Sequence, residues 1–221
     1  MLKEAIDSYE EEGESLSTRG YLRALLGRLY VKCEPPRLSE AREELAAGRE
    51  ETLDSGRHST LPLASTYWAE LLLADGSPGA LSDADKTLDN LQTFGWARGE
   101  IASLSVRARI ALAEGRIAAA VGFSTRAVEL LREHDNRVPT VQSEEIFLVH
   151  ALALVASGSD EAVTYARTAV DVVTDKANSL DDRALRESFL TRTRLSREVV
   201  ETAKSLGISA PESVGVGEDD G

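Results

Sequence analysis

A unit of small residue, turn and alanine recurs four times along this chain and limits the folds open to it. Gly27, Ala69, Ala108 and Ala151 each stand seven residues before a turn, at Glu34, Gly76, Gly115 and Gly158. Each turn leads into a segment that opens with an alanine: Ala41, Ala84, Ala120 and Ala162. Successive turns lie 42, 39 and 43 residues apart. That period belongs to stacked helical hairpins, where each unit buries its faces against its neighbours. The small residues have a direct physical reason, because two helices joined by a short turn approach closely only where side chains are small. On this reading Ala108 and Ala111 face Ala120 and Ala127, and Ala151 faces Ala162, Ala166 and Ala169. Arrays of this kind are usually binding scaffolds.

Punctuation residues divide the chain further. Residues 2–13 read as a short acidic amphipathic helix, ended by Gly13. Hairpins follow over 18–54, 62–94, 97–134 and 140–177, then a closing helix over 182–206 ended by Gly207. Ser15 or Ser17 is the expected cap of the first hairpin, whose opening helix carries Tyr21, Leu22, Leu25, Leu26, Leu29 and Tyr30 as its apolar face. Pro35 and Pro36 stop that helix, since proline lacks an amide donor and clashes with the preceding turn. Pro62 suits the first turn of the next hairpin, and Asp181 and Asp182 place negative charge at a helix start. Residues 208–221 have little to bury and read as an acidic disordered tail. No alternating segment is long enough for a strand. The expected fold is all-α, an α-solenoid of stacked antiparallel hairpins over residues 1–207.

Composition narrows the function classes. The longest nearly unbroken apolar run, 146–156, spans eleven residues and contains His150. A bilayer needs about 20 apolar residues, so this is a buried helix and no membrane association is expected. The first residues lack the apolar stretch of a secretory signal, and the single cysteine, Cys33, suits a reducing compartment. A cytoplasmic location is expected. The net charge of −13 argues against nucleic acid or anionic lipid as the direct partner.

Catalytic chemistry finds few candidates. Among three histidines, His58 falls in a polar loop, His134 at a helix C-terminus, and His150 inside the most apolar helix, where a hydrogen-bonded core role is expected. No His-x-x-His or Glu-x-x-His pair offers metal-ligand spacing. Cys33 is flanked by Lys32 and Glu34, whose fields offset one another. The acidic runs Glu10-Glu11-Glu12, Glu144-Glu145 and Asp181-Asp182 diverge around a helix axis rather than converge. The turn Gly76-Ser77-Pro78-Gly79 lacks the spacing and lysine of a phosphate loop. No enzyme activity, cofactor or metal is expected.

The small residues and heptad-spaced alanines, Ala120 with Ala127 and Ala162 with Ala169, resemble tetratricopeptide repeats over about residues 2–177. Ala5 followed by Tyr9 resembles a second helix whose first helix is missing, which suggests a fragment of a longer protein. Its apolar positions Leu2, Ala5, Ile6 and Tyr9 could then pair with a second copy as a homodimer. The segment 185–190, with Arg192 and Arg194, is similar to the closing helix of repeat regions in large bacterial signalling and transcriptional regulators. The resemblance implies a non-enzymatic scaffold that binds a protein or peptide across a concave face built from first helices. It implies exposed positions there at Tyr21, Arg28, Lys32, Glu70, Ala102, Ser105, Arg109 and Glu145. The Lys/Asn pattern that some members use on a peptide carboxylate is not reproduced. The alternative is a small-molecule sensor, with His150 or Arg109 contributing a polar contact to the ligand.

Overall fold

A computed structural model describes residues 2–11, 16–56, 60–76, 79–89 and 97–209. These residues form eleven helices and no strand: α1 (Leu2–Glu11), α2 (Leu16–Lys32), α3 (Leu38–Asp54), α4 (Leu61–Asp75), α5 (Ala80–Asp89) and α6 (Ala97–Ala113), then α7 (Ile117–Glu133), α8 (Ser143–Ser157), α9 (Ala162–Asn178), α10 (Arg183–Arg192) and α11 (Arg194–Ser205). Helices pack chiefly on their neighbours in the chain, as an all-α hairpin array requires. The chain divides into two compact units, Met1–Arg116 and Ile117–Gly221, with the boundary inside the span read as the third hairpin. Gly13, Ser15, His58, Ser77, Pro78, residues 90–94 of the second hairpin and residues 210–221 of the tail lie outside the described residues.

In the first unit α2 and α3 run antiparallel in very close contact. A Cβ built on Gly27 would stand 2.5 Å from Leu45 Cγ and 3.1 Å from the Ala41 carbonyl oxygen. At the other end Gly20 meets Gly48 and Thr52, and a Cβ on Gly48 would lie 2.7 Å from the Gly20 oxygen. This closeness corrects the apolar face expected for α2. Its buried stripe is Ser17, Gly20, Ala24, Leu26, Gly27 and Val31, largely the smallest side chains, while Leu29 is 55% exposed. Tyr21, Leu22, Leu25 and Tyr30 are half-buried. An interface this narrow admits few bulky side chains, so Leu22, Leu25 and Leu29 lie at its edges. Ser17 belongs to this stripe and is no cap.

Helix α4 packs against α2, α3, α5 and α6 and is buried on nearly every side. Leu63, Ala64, Tyr67 and Leu71 face the α2–α3 hairpin, while Ala69 and Leu72 meet Ala84 and Leu88 of α5 and Val106 and Ile110 of α6. Helix α1 packs on α2 with Ile6 buried and Leu2, Ala5 and Tyr9 half-buried. Of the apolar positions expected to pair with a second copy, Ile6 is thus turned into the chain, while Leu2, Ala5 and Tyr9 keep part of their surface.

In the second unit α8 packs against both α7 and α9, with Phe147, Leu148 and Val149 fully buried. Helix α9 presents Ala162, Ala166, Ala169, Val170, Val173 and Ala177 as its buried stripe. Pairing of Glu144 with Lys176, and of His150 with Tyr165, sets α8 and α9 antiparallel. The expected single closing helix is broken at Thr193, whose φ of −79° and ψ of 118° are extended. The break re-aims the chain so that Leu195, Ser196, Val199 and Ala203 of α11 reach α9 and α8, whereas α10 buries no residue.

The punctuation holds elsewhere. Gly76, Gly115, Gly158 and Gly207 all take the left-handed conformation that glycine adopts at helix ends. Gly27, Ala69, Ala108 and Ala151 are all buried, as are Ala41, Ala84, Ala120 and Ala162. Ala111 is buried in the first unit and Ala127 in the second.

Candidate functional site

The first unit gathers several expected site residues on α2 and α4. Arg28 on α2 reaches Glu70 on α4 through two bonds, Nε to Oε2 at 3.0 Å and Nη2 to Oε1 at 3.1 Å. A bidentate pair of this kind fixes both side chains in one geometry. Lys32, one turn further along α2, brings its ammonium to 3.9 Å from the same carboxylate. The Arg28 guanidinium also lies 4.7 Å from the centre of the Tyr67 ring. Tyr21 and Ala102 pack against the cluster that contains Tyr67. Tyr21, Arg28, Lys32, Glu70 and Ala102 therefore come together as one neighbourhood.

No motif marks Tyr67 in the sequence, although its place three residues before Glu70 puts the two on one face of α4. Its ring is buried, and among the described residues its hydroxyl has no hydrogen-bond partner. Burial pushes its pKa up to about 12, with Arg28 pulling in the opposite direction. A buried hydroxyl without a partner is uncommon, and it sets Tyr67 apart from the paired Arg28 and Glu70 beside it.

The expectation of open, solvated positions is corrected at three places. Glu70 is 8% exposed, Ser105 5% and Glu145 6%. Tyr21, Arg28, Lys32, Ala102 and Arg109 are half-buried. The cause is packing. A first helix such as α4 is enclosed by neighbours on several sides, so fewer of its polar positions face water than a one-sided helix would offer. Ser105 and Arg109 belong to α6 of the first unit, whereas Glu145 belongs to α8 of the second.

The second unit holds the one histidine of chemical interest. His150 is 4% exposed, and its Nδ1 lies 2.9 Å from the buried Ser124 hydroxyl. Tyr165 meets it edge to face at 4.3 Å, and the Arg132 guanidinium lies over the Tyr165 ring, 5.2 Å from its centre. Burial, assisted by the Arg132 charge, lowers the imidazole pKa to about 4. His150 is therefore a neutral, hydrogen-bonded core histidine, and this closed position does not open it to a ligand. No protein-family model, curated protein or solved structure matches the chain.

The remaining candidates resolve into structural roles. Asp182 caps α10, accepting from the Ala184 and Leu185 amides at 2.7 and 3.0 Å. Glu144 is buried and receives the Lys176 ammonium at 2.6 Å. His134 is exposed just beyond α7, and Cys33 is half-buried with its thiol free. Among the described residues no group of three or more His, Cys, Asp or Glu side chains could hold a metal ion. No helix among them is long and apolar enough to cross a membrane.

Proposed function

We propose that this chain is a tetratricopeptide-like scaffold, the interaction region of an intracellular bacterial regulator, which binds a peptide or protein segment without catalysing a reaction. The observation that carries the reading is the Arg28–Glu70 pair, which ties the first helices of two successive hairpins and holds Tyr21 and Lys32 beside it. A surface prepared in this way suits recognition, because little side-chain freedom is left to lose on binding. A cytoplasmic location, with no direct nucleic-acid or membrane partner, belongs to the same proposal.

The test uses a photo-crosslinking residue placed at Tyr21 in cells, followed by affinity measurement with whatever protein is captured. Lys32→Glu should weaken that affinity at least tenfold, and Glu129→Lys on the exposed side of α7 should leave it unchanged. Equal affinity for all three proteins would remove the proposed surface. The second reading, a small-molecule sensor, is favoured by the unpartnered Tyr67 hydroxyl. A metabolite that raises Tm in the parent chain and not in Tyr67→Phe would select it.

A further inference from the structure

A second constellation lies on the seam between α3 and α4, away from the Arg28 pair. Arg42 and Arg49 are seven residues apart on α3 and reach the same side chain, Trp68 of α4. Their guanidinium carbons stand 5.8 and 5.2 Å from the Trp68 ring centre, so one indole carries two cations. Elsewhere in the first unit half-buried arginines hold carboxylates: Arg23 takes Glu44 and Glu51, and Arg28 takes Glu70. Glu44 and Glu51 point toward α2, on the opposite side of α3 from Arg49. Arg42, which is exposed, pairs with Asp75 across a longer 3.6 Å ion pair.

Arg49 differs from all of these. It is half-buried, its Nε is enclosed without a hydrogen-bond partner, and no carboxylate among the described residues pairs with it. The acids of α5 are engaged elsewhere, Asp83 with Lys86, Asp85 with Arg116 and Asp89 with Arg107. Desolvation holds the Arg49 guanidinium below its ordinary pKa. A cation removed from water and left without a counter-charge is costly unless a ligand supplies one. Leu53, one turn further along α3, is 49% exposed and offers an apolar contact next to the charge.

We propose that Arg49, Arg42 and Trp68 form a binding site for an oxyanion, a carboxylate or phosphate group carried on an apolar body. Arg49 supplies the forked donors, Trp68 holds its guanidinium in place, and Leu53 receives the apolar part. The site is independent of the scaffold reading, since it lies on different side chains and is tested with small probes alone.

The full chain carries two tryptophans, so Trp96→Phe leaves Trp68 as the sole reporter. In that background N-acetylleucine, N-acetylleucinamide and phenyl phosphate are titrated while Trp68 emission is followed. A saturable change with N-acetylleucine or phenyl phosphate and none with the amide is expected, and the saturating arm identifies the source of the oxyanion. Arg49→Gln should weaken that response at least tenfold, while Arg126→Gln, exposed on α7, should leave it unaltered. Arg49→Met, without probe, should match or exceed the parent Tm, because it removes an uncompensated charge. Absence of saturation with both oxyanions, an unchanged response in Arg49→Gln, or a lowered Tm in Arg49→Met would each overturn the site.

Discussion

Gly48 has no room for a methyl group, and Gly122 has room to spare. A Cβ on Gly48 would press on the Gly20 oxygen and the Ala24 nitrogen, backbone atoms that cannot swing aside. A Cβ on Gly122, exposed inside α7, would meet nothing within 4 Å. Gly48→Ala should therefore cost about 1–3 kcal/mol by overpacking. Gly122→Ala should add about 0.5–1 kcal/mol by removing the entropy that glycine loses in a helix. Urea unfolding of both variants checks the pair, and equal effects would contradict the interface described. His150 supplies a pH dependence of defined sign. Its folded pKa of about 4 lies below the ordinary 6.5, so its contribution is present above pH 6.5 and is lost as pH falls through 4. About 3 kcal/mol is at stake across that window. The stability difference between the parent chain and His150→Leu, followed by urea unfolding from pH 7 to 4, should move by that order; a constant difference would show that His150 is not held neutral. The burial of His150 was legible, because an unbroken apolar run surrounded it. Gly20 and Gly48 were not, since a glycine within a helix acquires meaning only once its partner and register are known.

Helix ends were more legible than helix faces. Glycines at 76, 115, 158 and 207 marked their turns, and Asp182 marked the start of α10, because these signals act locally. The break at Thr193 carried no such mark; no proline or glycine stands there, and the docking of α11 on α9 and α8 accompanies it. Faces depend on the neighbours a helix acquires, and so α2 buries its small side chains where periodicity pointed to leucines. Helix α10 is the element most dependent on its cap. It has ten residues and buries none of them, and so short a helix is marginal in water. Asp182→Ala removes the acceptor for two amides and should loosen α10 by about 1 kcal/mol. Hydrogen exchange should then speed up within α10 while α8 keeps its protection, whereas unchanged exchange in α10 would show that something other than the cap holds it.

At the scale of the whole chain, the spacing of small residues carried the fold class, and the buried alanines agree with it. The site was legible only in part. Tyr21, Arg28, Lys32 and Glu70 do share one neighbourhood, because residues at helical spacing on successive first helices are brought side by side. The enclosure of Glu70, Ser105 and Glu145 was not legible, since it depends on how many neighbours surround each helix. Gly27, Ala69, Ala108 and Ala151 set the distance between packed helices, and therefore the surface that each unit presents. Urea unfolding of Gly27→Leu, Ala69→Leu, Ala108→Leu and Ala151→Leu measures this spacing role. Each variant adds apolar volume, yet each should lose about 1–3 kcal/mol because its site is already full. Unchanged or increased stability across the series would show that these positions do not set the helix spacing.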